Sequence, residues 1–294
     1  MSSFSTYIKI LISLVVVVFL VYILAEHQRI SILNQTLLYS AKEDNTLPIS
    51  PTSTASVPVE TPTKGEPAPA TKPIPPDPFM ATLKKEVPPD LSLFNVVSLN
   101  VPILKQSYAR SCEEASLRMV LAYYNIEATD MDIVKQVGYD PVAFDADNGI
   151  WGDPNEMFVG FIDDTTKSGY GTFAPPIAKA AISFGRTAKA YLGVSATFLA
   201  SEIYEKHPVI VWGFFNPGSP IIKYSWKTEA GKKIVAYRGE HVRVITSVVG
   251  DKDNPVGFFL NDPLTGESVY WSTKRLMTHM NMLGNLTNQA VVVE

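Results

Sequence analysis

The single cysteine of the chain, Cys112, lies in a sequence context that could make its thiol a nucleophile. Residues 115–124 carry apolar side chains at helical spacing, and the preceding Ser111 is of a type that favours the N-cap of a helix. Cys112 is therefore predicted to lie at a helix N-terminus. Unpaired N–H groups and the positive end of the helix dipole favour thiolate over thiol there, and a thiolate can attack a carbonyl carbon near neutral pH.

Gln106 lies six residues before this cysteine, close enough for its side-chain amide to face the same space as the Cys112 backbone N–H. Two donors placed in this way could form an oxyanion hole. Glu113 and Glu114 fall in the first turn of the predicted helix, where the macrodipole favours negative charge. A solitary cysteine is most often a small buried hydrophobe, so a catalytic role requires a base and an orienting group elsewhere in the chain.

Such a pair is predicted downstream, where His241 begins one apolar strand and Asp262 ends the next. A turn around residues 251–254 joins the two strands as an antiparallel pair, in which the start of one lies beside the end of the other. The imidazole would then lie against a side chain at the end of the second strand. Asn261 is the alternative to Asp262, because strand alternation directs only one of the two toward the ring. The order cysteine, histidine, orienting residue is the one described for papain-type thiol enzymes.

Arg243 lies on the same predicted strand and, by the alternation of side chains, faces the same side as His241 and Ile245. It could pair with Glu240 or with Asp262. In the second case it would compete with the histidine for the orienting carboxylate and lower the basicity of the imidazole. The alternative is a position at a solvent-exposed edge of the sheet.

These residues must be positioned by helices in the first part of the globular region and by strands in the second. A capping-box pattern at Thr129 begins a second helix, and further helices are predicted from Pro175 and from the N-cap Ser195. Residues 138–172 are predicted to form a long ordered loop. Strands are predicted at residues 97–103, 209–215, 232–237, 241–249, 257–261, 268–271 and 289–293, and a last helix at residues 273–282. Helices followed by an antiparallel sheet predict one α+β domain over residues 93–294.

Composition excludes several classes of function. The chain has 294 residues, a formal net charge of −4 and a pI near 5.7, so it lacks the broad basic field that would favour nucleic acid as a partner. One cysteine cannot form an intrachain disulfide. His27, His207 and His279 are scattered without the spacing of metal ligands, so neither a metal nor another cofactor is expected.

Residues 10–25 are uncharged and strongly apolar. A helix of this length spans about 24 Å, and the flanking Tyr7 and Lys9 can extend it toward the roughly 30 Å of a hydrocarbon core. We interpret residues 1–30 as a single-pass membrane anchor. A cleavable signal peptide is the alternative, but Ala25 with Ile23 two positions earlier is a poor cleavage site. The short N-terminal tail favours an orientation with the rest of the chain outside the cytoplasm.

Residues 31–92 separate this anchor from the globular region and are rich in proline, threonine, serine and alanine. They contain too few apolar side chains to offset the entropy of ordering. We therefore predict a disordered, partly polyproline II linker that holds the domain away from the membrane.

Several stretches across residues 101–293 together resemble the bacteriocin-processing (double-glycine) peptidase-like family of papain-like cysteine peptidases, in its stand-alone form. The stretches are VPILKQ, SCEEASLRMVLAYY, WGDPNEMFVG, GYGTFAPPIAKAA, PVIVWGFF, HVRVITSVVG and FFLNDPLTGE. The resemblance implies a papain-like fold with N-terminal helices packed on an antiparallel sheet. It implies Cys112 as the nucleophile and His241 as general base and acid. It also implies Asp262 as the orienting group and Gln106 as an oxyanion donor.

The expected function is that of a membrane-tethered cysteine peptidase, with a peptide or protein as substrate. One alternative is a catalytically silent papain-like binding module, which is favoured if Arg243 occupies the site. Another is a cell-wall peptidase or amidase of the NlpC type. Those enzymes also place a cysteine at a helix start, but their histidine usually lies nearer and they lack a glutamine six residues before the cysteine. Sortases and L,D-transpeptidases place the histidine before the cysteine, so the order of residues argues against them.

Overall fold

The structure is a computed structural model that describes residues 85–215, 222–281 and 283–294. The predicted anchor at residues 1–30 and most of the predicted linker lie outside the described residues. Everything described belongs to the compact unit Thr71–Glu294, the second of two units in the chain. Within the described ranges, every helix is too short or too polar to cross a bilayer.

The described residues form five α-helices, each of which begins at or within one residue of its predicted start. They are α1 (Cys112–Tyr123), α2 (Asp130–Val137), α3 (Ala174–Ser183), α4 (Ala196–Tyr204) and α5 (Thr273–Asn281). The predicted capping box begins α2, because Thr129 accepts from the Asp132 N–H while the Asp132 carboxylate accepts from the Thr129 N–H. The predicted cap of α4 is also present, with Ser195 accepting from the Phe198 N–H.

The cap of α1 differs from the prediction. Ser111 occupies the N-cap position but its side chain makes no capping hydrogen bond. Its hydroxyl instead donates to the buried carboxylate of Asp130 at 2.7 Å. The same carboxylate accepts from the Ser107 N–H at 2.7 Å and lies 2.9 Å from Arg118 Nη1. Asp130 therefore fixes the loop before Cys112, and this stronger, charged acceptor takes the hydroxyl from the helix terminus.

Twelve β-strands are present among the described residues. They are β1 (Val96–Ser98), β2 (Tyr139–Asp140), β3 (Phe158–Gly160), β4 (Gly169–Gly171), β5 (Ala188–Tyr191), β6 (Val209–Phe214), β7 (Lys223–Lys227), β8 (Lys233–Tyr237), β9 (Glu240–Asp251), β10 (Asn254–Asp262), β11 (Glu267–Ser272) and β12 (Ala290–Val293). Seven of them form one antiparallel sheet in the order β11-β10-β9-β6-β12-β5, with β1 also paired to β9. Helices and an antiparallel sheet in one unit confirm the predicted α+β class.

The strand β9 is the centre of this sheet and is buried along nearly its whole length. It pairs with β10 on one side, and with β6 and then β1 on the other. The apolar face of α1 packs against β9, with Leu117, Val120 and Leu121 fully buried in the shared core. Burial of each such side chain contributes about 1.5–3 kcal/mol, so the helix that begins at Cys112 is held firmly on the strand that begins beside His241.

The region predicted as a long ordered loop, residues 138–172, is ordered but also contains regular secondary structure. It contains β2, β3 and β4, which form a separate small sheet. Its strands are two or three residues long and rich in glycine, so alternation could not reveal them. The four-residue strand β5 and the polar strand β7 were missed for a similar reason, since neither has a recognisable apolar pattern.

Candidate active site

Cys112 is the first residue of α1 and is half-buried. Its thiol donates a hydrogen bond to Glu113 Oε2 at 3.0 Å. Burial raises the pKa of the Cys112 thiol well above its usual value, and the Glu113 carboxylate raises it further. A backbone hydrogen bond from Val242, the residue after His241 on β9, acts in the opposite direction. The expectation of a lowered thiol pKa is therefore wrong for this arrangement, because burial and an adjacent carboxylate outweigh the helix terminus.

Both glutamates of the first turn of α1 are buried. Glu113 is 4% exposed and Glu114 is fully buried. Burial raises the pKa of both carboxyl groups, and the neighbouring Glu113 raises that of Glu114 further. Glu113 also accepts from the Thr172 N–H at 2.9 Å, which ties the start of α1 to the residue after β4. A side chain at Gly171 would overlap the Glu113 carboxyl, so a glycine is required there.

On the sheet, His241 Nε2 lies 2.9 Å from Asp262 Oδ1, the contact that strand pairing predicted. Asn261 is directed elsewhere, since its amide donates to the Val101 carbonyl at 3.1 Å. Oδ1 of Asp262 also accepts from the Leu264 N–H at 2.9 Å. Both members of the histidine–aspartate pair are buried, at 4% exposure each, so the ring is held in one orientation.

Arg243 pairs with Asp262, one of the two partners that the sequence allowed. Its Nε donates to Asp262 Oδ2 at 2.7 Å, whereas His241 uses Oδ1. The two side chains therefore share the carboxylate rather than compete for one oxygen. Arg243 is 3% exposed, so the alternative of a solvent-exposed edge is wrong. Its guanidinium also donates to the Phe214 carbonyl at 3.3 Å and lies over the ring of Trp271 at 4.5 Å.

These charges set the protonation of the pair. Burial alone would raise the pKa of Asp262, but the charges of His241 and Arg243 and their hydrogen bonds hold it well below its usual value. Burial lowers the pKa of His241, Arg243 lowers it further, and Asp262 only partly offsets them. At neutral pH the aspartate is ionised and the imidazole is neutral. The ring must then carry its proton on Nε2, which faces the carboxylate, and this leaves a lone pair on Nδ1.

Gln106 lies in the loop before Cys112 as predicted, but its side chain is not free. Its Nε2 donates to the carbonyls of Tyr108 at 2.8 Å and Ala109 at 3.1 Å, which uses both amide protons. The reverse orientation of the amide would place its oxygen against two carbonyl oxygens. The expected donor is therefore engaged within its own loop, because residues 107–111 turn back over it.

Two contacts in this region were not predicted. One is the bond from the Cys112 thiol to Glu113, and no spacing rule pairs adjacent residues of a helix in this way. The other is the bond from the Tyr170 hydroxyl to Glu240 Oε2, beside His241. Burial raises the pKa of both Tyr170 and Glu240. Among the described residues, no group of three or more His, Cys, Asp or Glu side chains is arranged to hold a metal ion.

A solved structure of a Bacillus anthracis protein assigned as a C39-like peptidase is similar to this chain, with 26% identity and a TM-score of 0.57. The match covers 68% of this chain and 98% of that protein. A second is the peptidase domain of Streptococcus ComA, a bifunctional ABC transporter of a quorum-sensing pathway, with 14% identity, coverage of 66% and 98%, and a TM-score of 0.37. A third is a double glycine motif protease from an AMS/PCAT transporter in complex with its leader peptide, with 19% identity, coverage of 67% and 92%, and a TM-score of 0.36. No curated protein matches the chain.

The α+β fold and the first of these similarities define a papain-like, cysteine peptidase-like hydrolase. The family model described as the Peptidase_C39 like family matches residues 98–290, about two thirds of the chain. The chain therefore belongs to the Peptidase_C39-like family, which confirms the resemblance found in the sequence.

The contact between Cys112 and Glu113 leads to a first prediction. Glu113→Gln removes the charge that raises the thiol pKa and places an N–H donor beside the sulfur. We expect the thiol pKa to fall, so that iodoacetamide alkylation at pH 7 becomes about tenfold faster. Because Cys112 is the only cysteine, the pH dependence of iodoacetamide alkylation measured by intact mass reports this directly. Glu127→Gln, at an exposed carboxylate, is the matched control and should leave the profile unchanged. An unchanged profile in Glu113→Gln would contradict the assigned contact.

The shared carboxylate leads to a second prediction. Asp262→Asn leaves Arg243 buried without a charged partner, which should lower the free energy of unfolding at pH 7 by about 3 kcal/mol. The carboxylate has a pKa of about 3.9 in the unfolded chain and a lower one in the fold, so its contribution is present above that pH and is lost below it.

The difference in the free energy of unfolding between wild type and Asp262→Asn should therefore stay constant above about pH 5. Below about pH 4 it should narrow by about 1.4 kcal/mol per pH unit. Urea unfolding at pH 7, 4 and 3 measures this difference. Asp147→Asn, at an exposed aspartate, is the control and should behave as wild type. A gap that widens toward low pH would show that Asp262 is not held ionised in the fold.

Proposed function

We propose that the protein hydrolyses peptide bonds by covalent catalysis, with Cys112 as nucleophile and His241, oriented by Asp262, as general base and acid. The observation that carries the proposal is the buried contact between His241 and Asp262 at 2.9 Å, with Arg243 on the second carboxylate oxygen. It supplies an oriented, neutral imidazole on the strand against which the cysteine helix packs. Membership of a peptidase family supports a peptide or protein as the substrate.

The reaction begins when the thiol proton leaves for His241. No hydrogen bond joins Cys112 to His241 among the described contacts, and the thiol proton points at Glu113 instead. The thiol must therefore turn from the carboxylate to Nδ1 of the ring, which has the lone pair to accept the proton. The thiolate attacks the substrate carbonyl, the imidazolium protonates the leaving amine, and water hydrolyses the resulting thioester.

The oxyanion that forms during this attack needs donors. The Cys112 backbone N–H at the start of α1 is the first. We propose Gln106 as the second, which requires its amide to release one of the two loop carbonyls that now hold it. This would make the loop of residues 106–111 a part of the site that rearranges when substrate binds.

A catalytically silent binding module is the second candidate, and one observation favours it. The Cys112 thiol is held by Glu113 and its pKa is raised, so little thiolate exists at neutral pH in the resting state. Sharing of Asp262 between His241 and Arg243 argues against silencing by the arginine. The two candidates differ in whether His241 controls the reactivity of Cys112.

This difference gives a third prediction. His241→Ala should slow iodoacetamide alkylation of Cys112 at pH 7 by about 100-fold, because the base that accepts the thiol proton is lost. His207→Ala is the matched control, since His207 pairs with Glu202 away from the site. Incubation of a peptide library with wild type should yield new termini by mass spectrometry, and Cys112→Ala should yield none. Equal alkylation of wild type and His241→Ala would favour the binding module instead.

We also propose that residues 1–30 anchor the protein in a membrane and that residues 31–92 hold the domain outside the cytoplasm. The uncharged run at residues 10–25 and the proline-rich composition that follows it support this arrangement.

A fourth prediction tests the anchor in the full chain produced in a bacterial host. The protein should stay in the membrane fraction after a carbonate wash, and protease added to spheroplasts should degrade the domain. A chain without residues 1–30 should be soluble after lysis. An intact mass that begins just after residue 25 would instead identify a cleaved signal peptide.

A further inference from the structure

The helix α5 has an incomplete capping box of its own. Ser272 immediately precedes it, and the Ser272 hydroxyl accepts from the Arg275 N–H at 3.3 Å, as an N-cap residue does. In a complete box a glutamate or glutamine three residues later reaches back to the N–H of the capping residue. Here that position holds Arg275, which has no acceptor to offer.

The missing acceptor comes from a distant part of the chain. Glu86 Oε2 accepts from the Ser272 N–H at 2.8 Å, across 186 positions of sequence. Its negative charge also lies at the positive end of the helix dipole. A second contact of this segment, between Lys85 and Glu267 at 2.8 Å, is exposed on both sides and contributes little. Glu86 is therefore the residue that attaches the N-terminal segment to the domain.

The attached segment lies close to the candidate active site. Glu86 and Pro88 line a cavity of about 390 Å³, which Arg243, Asp262 and Trp271 also line. The ring of Trp271 is contacted by Arg243 at 4.5 Å and by Arg275 of α5 at 5.0 Å. The segment and the start of α5 thus form one wall of the cavity, and the arginine that holds the orienting carboxylate forms another.

Helix α5 also supports the second contact of Arg243. His279 Nδ1 lies 2.8 Å from the Phe214 carbonyl, the same oxygen to which Arg243 Nη1 donates. The ring of His279 lies against that of Trp271, tilted by 39°, with centroids 4.2 Å apart. If the first turn of α5 frayed, Trp271 and the Phe214 carbonyl would be held less firmly. Arg243 contacts both, so it would also lose its fixed position.

We propose that the segment Lys85–Pro88 is a clamp, in which Glu86 completes the cap of α5 and so positions Arg243 and Asp262 behind His241. Its effect on the reaction rests on the proposed function, whereas its attachment to α5 does not. The clamp links the end of the N-terminal region to the orienting carboxylate of the site.

The fifth prediction concerns attachment. In the purified full chain, Glu86→Ala should lower the melting temperature by about 3 °C and speed hydrogen exchange of the first-turn amides of α5. Glu86→Gln keeps an acceptor for the Ser272 N–H, so its melting temperature and its protection from exchange should fall less. Val87→Ala, in the same segment at 82% exposure, is the matched control and should match wild type. Unchanged exchange of α5 in Glu86→Ala would overturn the clamp.

A rescue separates the cap from a general loss of contacts. Arg275→Glu places a carboxylate at the position that a capping box normally uses. In the wild-type background Arg275→Glu should destabilise α5. The new carboxylate and that of Glu86 would both lie at the Ser272 N–H, and the contact of Arg275 with Trp271 would be lost. In the Glu86→Ala background it should restore protection of the first turn. A double variant no more protected than Glu86→Ala would overturn the assignment of Glu86 as the missing half of the cap.

Two further measurements test whether Glu86 affects the candidate active site. Neither should change if Glu86 only stabilises α5. Glu86→Ala should slow iodoacetamide alkylation of Cys112 about fivefold, with recovery in Glu86→Gln. It should also broaden the downfield proton resonance of the His241 Nε2–H, identified by its absence in His241→Ala. Loss of α5 protection with neither change would overturn the positioning role. If alkylation does not depend on His241 at all, the proposed function fails, while exchange of α5 still decides the clamp.

Discussion

The structure depends on one buried carboxylate with two partners. Asp262 gives Oδ1 to His241 and Oδ2 to Arg243, and all three side chains are almost completely buried. A buried charge without a partner costs several kcal/mol, so neither Asp262 nor Arg243 could remain ionised in this place without the other. The register of β9 against β10 brings them together, since the pairing of Asn261 with Val244 sets Asp262 beside Arg243. The register of these two strands therefore also fixes the geometry of the site.

The helix side of the site has the opposite electrostatic character. Burial raises the pKa of the Cys112 thiol, and the charge of the Glu113 carboxylate raises it further, so the thiol stays protonated at the start of α1. On the sheet side burial lowers the pKa of His241 and Arg243 lowers it further, while His241 and Arg243 together hold the pKa of Asp262 below its usual value. On the proposed function, α1 would supply the proton and the imidazole on β9 would accept it.

The parts that could be predicted from the sequence are those that depend on local patterns. The capping box at Thr129, the cap at Ser195 and the long apolar strand from His241 all follow from short-range rules. Strand alternation and a turn were enough to bring His241 toward Asp262. The alternatives that stayed open, such as the partner of Arg243, needed three-dimensional distances.

The contacts that could not be predicted depend on burial and on side-chain direction. Whether the carboxylate of Glu113 faces solvent or the neighbouring thiol depends on how α1 meets the loop at Thr172, about 60 residues away. The amide of Gln106 turns into its own loop because the backbone curls back there, which no spacing indicates. Helix-dipole reasoning gave the wrong direction for the thiol pKa because it omits desolvation, the larger effect in a closed site.

The free energy of the hydrogen bond between the Cys112 thiol and Glu113 decides how strongly this contact slows the proposed reaction. A hydrogen bond to a charged group contributes about 1.5–3 kcal/mol, so turning the thiol away from Glu113 costs roughly a factor of 10 to 150 in rate. Peptidases accelerate hydrolysis by many more orders of magnitude than this, so the contact can slow the proposed reaction without abolishing it. It also has a use, because the protonated thiol is far less open to oxidation than a thiolate. On the proposed function, Glu113 keeps the nucleophile protonated until a substrate is bound, and the neutral imidazole fixed by Asp262 is the group to which that proton then moves.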